Sequence, residues 1–137
     1  MAGYSTTPLP QKLGIKPGAR VLFHGAPEAL DQALGELPTG VSVDRRASKG
    51  PYNVIVLFAE DAAALAAKID TLCKKLDQAG GLWVAWPKKA SGVKTDLTED
   101  RVREVGLAAG LVDNKVCAID DTWSGLRLVV RVKDRVK

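Results

Sequence analysis

Gly80-Gly-Leu-Trp-Val-Ala-Trp-Pro-Lys-Lys-Ala-Ser-Gly-Val-Lys-Thr-Asp-Leu-Thr98 decides the fold. Leu82–Trp86 is apolar without interruption, as a central strand covered on both faces must be. Pro87 ends it, because proline brings no N–H to a sheet ladder. Lys88 and Lys89 follow just past the strand's carboxyl end, the edge at which open α/β sheets bind ligands. The polar loop then enters a helix: Asp96 with Glu99 three residues on reads as a capping box, and Thr98 is the rival cap. On the amino-terminal side, Gly80-Gly81 reads as a helix end, where left-handed backbone is needed.

Upstream, Asn53–Phe58 is the clearest buried strand, short and rich in β-branched residues. Glu60 and Asp61 open a long helix that reaches about Gln78, with Leu65, Ile69, Leu72, Cys73 and Leu76 at helical spacing. Its early acids complement the positive end of the helix dipole. Before these come a short strand at Arg20–His24, a short helix at Glu28–Glu36, a second short strand at Val41–Asp44 and a basic polar loop at Arg45–Tyr52. Residues 1–15 read as an extended amino-terminal arm, with Pro8 and Pro10 excluding a regular helix. Downstream, Val102, Val105 and Ala109 form the buried face of a helix that Gly110 ends. Leu111–Asp120 is a strand, Asp121–Gly125 a turn, and Leu126–Lys133 alternates apolar with basic residues. That period of two predicts an antiparallel strand with one wetter face, near a sheet edge.

The order is therefore β-α-β-β-α-β-α-β-β, and helical crossovers link parallel strands in a right-handed sense. The expectation is one α/β domain over residues 1–137: a three-layer, Rossmann-like open sheet, mostly parallel, closing in an antiparallel hairpin. That ending is similar to the class I methyltransferase version of the fold in shortened form. By that analogy the strand order is 2-1-3-4-6-5.

A chain of 137 residues is long enough for one self-sufficient core without disulfides or metal. Its net charge of +4 is mild, the basic residues interleave with acids, and no aromatic ladder accompanies them, which argues against a nucleic-acid partner. Cys73 and Cys117 are far apart and in no metal-like spacing, so they read as inert thiols. No charged segment followed by an apolar run opens the chain, and no apolar run approaches a membrane span. A cytoplasmic protein with no membrane partner is the expectation.

Topology brings the strand ends to one rim. The first strand delivers His24 and Gly25, the second Asp44, the fourth Lys88 and Lys89 with Ser91 and Thr95 beyond. The fifth delivers Asp121 and the Trp123-Ser124 turn. Trp86 and Trp123 are candidates to floor a ligand crevice, since indole suits sites half apolar and half wet. Lys88, Lys89, Ser91, Gly92, Lys94 and Thr95 suit an anion, although Asp96, Glu99 and Asp100 at the next helix start compete with one. Pro17-Gly-Ala-Arg-Val-Leu-Phe-His-Gly25 looks like the run into the glycine-rich loop with which methyltransferases hold S-adenosylmethionine, and Asp44 matches their strand-end acid. The loop departs from that pattern at Pro27, where a second glycine would let backbone approach the cofactor. His24, the sole histidine, reads as strand-end structure before it reads as a general base. No nucleophile elbow, phosphate loop or metal cluster is present, so no catalytic residue and no metal are assigned. The expected function is a non-enzymatic module, binding or regulatory, for a small anionic or nucleotide-like ligand. The alternatives are a reduced S-adenosylmethionine-dependent methyltransferase-like protein, and an interaction or homo-oligomeric scaffold using Leu126–Val132.

Three runs carry a family resemblance: Gly3–Leu9 through Lys16–Arg20, Gly80–Lys89 through Thr95–Thr98, and Leu111–Leu126. Together they are similar to the small bacterial proteins of domain of unknown function 3052. The resemblance implies a bacterial single-domain protein and brings no activity with it. Its runs map largely onto the rim that topology defines.

Overall fold

The computed structural model describes residues 7–135. Its elements are α1 (Leu9–Lys12), β1 (Arg20–His24), α2 (Leu30–Leu34), β2 (Ser42–Asp44), β3 (Tyr52–Phe58), α3 (Ala62–Cys73), β4 (Leu76–Pro87), α4 (Glu99–Ala108), β5 (Leu111–Ala118) and β6 (Trp123–Val130), with 3-10 turns at Lys89–Ser91 and Val132–Asp134. The six strands form one sheet in the order β2-β1-β3-β4-β6-β5, the order expected from the sequence. β1 to β4 pair in parallel, and β6 lies antiparallel between β4 and β5. β5 therefore runs with β4 again, and its carboxyl end meets the same rim.

Two apolar layers sandwich the sheet. On one face Leu65, Ile69 and Leu72 of α3 and Val102 of α4 pack on Leu22, Ile55, Leu57, Leu82, Val84 and Trp86. On the other, Leu9, Leu13 and Ile15 join Leu30 and Leu34 of α2 over Val21, Phe23, Val56, Trp83, Ala85 and Trp123. Trp83 is fully buried, and its indole Nε1 donates to the Leu13 carbonyl at 3.1 Å, which pins the amino-terminal segment to the sheet. The chain around α1 is thus a core layer.

Several sequence expectations are corrected. Residues 8–13 do turn as a helix: Pro8 is the cap and Pro10 stands in the first turn, where its missing N–H leaves no bond unmade. The rest of the predicted arm, residues 1–6, lies outside the described residues. α3 ends at Cys73, and the chain enters β4 at Leu76. Gly80 and Gly81 lie inside that strand, and neither has a positive φ. Gly80 is required by close approach to backbone, and Gly81 leaves room for the end of the Arg127 side chain. A Cβ on Gly80 would stand 2.5 Å from the Asn53 carbonyl oxygen, and one on Gly81 would stand 2.3 Å from Arg127 Nε. Between Leu76 and Gly81 the ladder bulges, four residues of β4, Gly80 among them, facing one of β3.

At α4 the cap is Thr98, whose Oγ1 accepts from Arg101 N at 3.1 Å. Asp96 serves the neighbouring helix: its Oδ1 accepts from Ala62 N at 2.8 Å, beside the α3 cap Asp61, which accepts from Ala64 N at 2.8 Å. β6 begins at Trp123 and is paired on both sides, so it offers no strand edge to a partner. Nor does it have a wet face, since Leu126, Leu128 and Val129 are all buried. No helix among the described residues is long and apolar enough to cross a membrane.

Candidate functional site

The carboxyl edge of the sheet is where the sequence places its site. His24 ends β1 half-buried and beside Lys68 of α3; burial, and then the Lys68 charge, push its imidazole below the ordinary histidine value. Gly25 follows with φ +73°, and a Cβ there would stand 3.1 Å from the Phe58 carbonyl oxygen, so the turn out of β1 needs glycine.

Asp44 does not reach that crevice. Its strand ends opposite Leu22, short of His24. Its Oδ2 accepts from the Tyr52 hydroxyl at 2.5 Å and from Ser48 Oγ at 3.3 Å, and Arg20 lies at 3.6 Å. The Tyr52 hydroxyl, then Ser48 and Arg20, hold the Asp44 carboxyl below the usual carboxylate range. The same Arg20 guanidinium stacks over the Tyr52 ring at 4.7 Å. This cluster ties the loop after β2 to the start of β3 through one oxygen of the Asp44 carboxylate.

The two rim tryptophans lie on opposite faces. In the β4–β6 register Trp86 faces Ser124, while Trp123 faces Pro87. Trp86 is buried in the layer of α3 and α4. Trp123 is buried in the other layer, its ring edge-on to Phe58 with centroids 5.1 Å apart. They cannot floor one crevice. Asp44 on β2 and Ser124 on β6 are four strand positions apart, about 19 Å at the usual strand spacing.

The structure does bring together the lysine loop. Lys88 N donates to the Thr122 carbonyl at 2.7 Å, carrying the ladder one residue past β4 toward the turn before β6. In that turn Asp120 Oδ1 accepts from Thr122 N and Trp123 N, both at 2.8 Å, while Asp121 is exposed. Ser91 Oγ donates to the Lys88 carbonyl at 2.6 Å and accepts from Val93 N at 3.2 Å. Thr95 Oγ1 accepts from Leu97 N at 3.0 Å. These bonds shape a cavity of about 340 Å3 lined by Lys89, Val93, Lys94, Thr95, Leu97 and Thr98. Among the described residues no lysine pairs with a carboxylate; all the ion pairs are made by arginines.

The acids that would oppose an anion here are engaged elsewhere. Asp96 caps α3. Glu99 and Asp100 each bind Arg103 at 2.8 Å, and Arg103 reaches on to Asp113 of β5 at 3.1 Å. Hydrogen bonds from Arg103 to Glu99 and Asp113 raise that guanidinium above its ordinary value, so it is permanently charged. The sequence counts these three acids against the anion, and for Asp96 the partner that removes it is tertiary. Arg103 alone, three and four residues beyond Asp100 and Glu99 on one helix, was a signal that could have been used. The two thiols are half-buried, and burial raises both, which agrees with inert cysteines. No group of acids, histidines and cysteines able to hold a metal occurs among the described residues.

The profile of a family described as "Protein of unknown function (DUF3052)" matches residues 11–132. Among curated proteins, no sequence matches the chain. Solved structures do share its architecture. A ribosomal protein L11 methylase from Lactobacillus delbrueckii subsp. bulgaricus superposes with a TM-score of 0.55 at 12% identity, over 89% of this chain and 74% of the methylase. A SAM-dependent methyltransferase from Aquifex aeolicus gives 0.53 at 13% identity, over 86% of this chain and 85% of that one. Magnesium protoporphyrin IX methyltransferase from Synechocystis PCC 6803, with bound SAH, gives 0.53 at 15% identity, over 83% and 75%. Identities this low establish a shared fold and nothing finer.

Proposed function

Because the chain belongs to the DUF3052 family, whose description carries no activity, function has to be read from the site, and we propose a non-enzymatic module that binds a small anionic or nucleotide-like ligand over the Lys88–Thr98 loop. One observation carries this reading: Lys89 and Lys94 line a cavity and, like Lys88 at the start of its loop, have no carboxylate partner among the described residues, while Asp96, Glu99 and Asp100 at the next helix start are engaged. Unpaired ammonium groups above a loop with fixed hydroxyls suit a phosphate or carboxylate, which each lysine can meet as a point charge. A regulatory role in the cytoplasm is the setting proposed with it. Thermal unfolding against phosphate, sulfate, small carboxylates and adenine nucleotides tests it. A ligand at 100 times its dissociation constant stabilises by about 2.7 kcal/mol, several degrees for a domain of this size. Lys89→Ala/Lys94→Ala is expected to weaken that ligand at least tenfold; unchanged affinity would sink the placement.

The second reading, a reduced S-adenosylmethionine-binding protein, is favoured by Gly25 alone, whose positive φ at the end of β1 suits a cofactor turn. Pro27 in that turn and the Asp44 carboxylate, bound by Tyr52, weigh against it. Calorimetry with S-adenosylhomocysteine separates the two: binding that survives Lys89→Ala/Lys94→Ala would replace the first reading with the second.

A further inference from the structure

At the opposite edge of the sheet, where β1, β3 and β4 begin, lies a cavity of about 410 Å3 walled by Gly14, Lys16, Gly18, Asn53, Asp77 and Arg127. A smaller one of about 240 Å3 adjoins it on the β5 side and shares Gly14 and Arg127. Arg127 is the side chain common to both flanks. It lies on the Trp83 face of the sheet, its guanidinium set on Gly81 so closely that any Cβ there would collide with it. Gly81 is therefore the seat of this guanidinium.

Arg127 is half-buried, yet among the described residues it donates no hydrogen bond and reaches no carboxylate, whereas Arg20, Arg45 and Arg103 are each paired with acids. Burial, and then the charge of Arg135, push its guanidinium below its ordinary value without neutralising it. Lys16 lines the same cavity, and Lys12 and Lys115 line the adjoining one. The opposing charge is Asp77, whose Oδ1 already accepts from Ala79 N at 2.8 Å. Asn53 Oδ1 accepts from Arg20 N at 2.8 Å, which leaves the Asn53 amide NH2 as a donor. With five donors at the cavity wall and no protein acceptor among the described residues, this guanidinium is open to a bidentate oxyanion.

We propose that this amino-edge cavity is a second binding site, independent of the lysine loop, that takes a small-molecule phosphate or carboxylate, with Arg127 as its bidentate anchor and Lys16 as the second cation. Gly81 leaves the space that the guanidinium occupies, and Trp83, through Leu13, holds the Gly14 wall in place.

The test is an NMR titration of the full chain with inorganic phosphate and, separately, with succinate, following the Gly14, Gly18 and Gly80 amides and the Arg127 Nε–H. Saturable shifts at these groups are expected with at least one probe; phosphate alone or succinate alone assigns the ligand class. Arg127→Lys, which keeps charge and loses the fork, should weaken binding at least tenfold, and Arg127→Gln should abolish it. Gly81→Ala keeps the guanidinium but displaces it, and should weaken binding while the Trp83 indole resonance stays in place. If Arg127→Gln does not fold, Arg127→Lys and Gly81→Ala decide. Lys89→Ala/Lys94→Ala should leave these shifts unchanged, which separates failure of this site from failure of the loop site. No response at the amino edge to either probe, or wild-type affinity in both Arg127→Lys and Gly81→Ala, overturns the proposal.

Discussion

The two edges of the sheet treat their polar groups differently. At the carboxyl edge, the acids that topology presents as ligands are bound to the protein itself: Asp44 to Tyr52, Ser48 and Arg20, Asp96 to the start of α3, Asp120 to its own turn. Its aromatics are core, one in each layer. Around the Lys88–Thr98 loop what is left over is cationic, while Glu60 and Asp121 stand exposed at the neighbouring strand ends. At the amino edge the backbone is tight and glycine-rich, and the half-buried Arg127 guanidinium stands with Lys16 at one cavity. The difference teaches that topology nominates a place, while residues are nominated by charge that the fold leaves unpaired.

The sharpest way to break this contrast is at Trp83, the residue that links the amino edge to the segment above it. Trp83→Ala removes a fully buried indole and its bond to Leu13, and a loss of about 3–5 kcal/mol in urea unfolding is expected. Trp86→Ala, also buried, should cost a comparable amount without touching that segment. Amide exchange separates them: Leu13 and Gly14 should exchange faster in Trp83→Ala only. Equal exchange in both variants would mean that the Trp83–Leu13 bond does not hold the amino-edge wall.

A smaller effect separates local from tertiary capping at the carboxyl edge. Thr98→Ala should cost about 1 kcal/mol by freeing the Arg101 amide. Asp96→Ala should expose the Ala62 amide of α3 and leave the first turn of α4 protected. Protection lost from α4 in Asp96→Ala would restore Asp96 as that helix's own cap.

The strand order was legible because continuous apolar runs and helical stripes are local signals, and right-handed crossovers leave few ways to connect them. What was not legible depends on contacts far along the chain. Gly80 and Gly81 carry no positive φ; they are glycine because Asn53 and Arg127 approach, 27 and 46 residues away by sequence number. Asp96 looks like a cap for the helix that follows it, yet it caps one that begins at Ala62. The grouping of Trp86 with Trp123 failed on register. Trp123 pairs with Pro87 instead of Trp86, and a shift of one residue puts a side chain on the other face of a sheet. Of the predicted site, Lys88, Lys89, Ser91 and Thr95 are brought together because they belong to one loop. Asp44 is held apart because it ends the outermost strand opposite Leu22, where the Tyr52 hydroxyl binds it.

The smallest expected effect concerns His24, the rim residue that could be structure or base. In the folded protein its imidazole gains a proton less readily than in the unfolded chain, first because it is half-buried and then because Lys68 repels the charge. The unfolded chain therefore binds the proton first as the pH falls. Stability from this group is complete above about pH 6.5, the unperturbed histidine value, and declines below it until the folded-state value is passed. His24→Gln should flatten that part of the stability profile. Lys68→Met should raise the titration of the His24 ring, followed by NMR, but only part of the way to the unperturbed value, since burial is the larger cause. A ring that titrates at or above about 6.5 in the native chain would show that burial does not govern it, and would move His24 from strand-end structure to a solvent-facing group of the carboxyl edge.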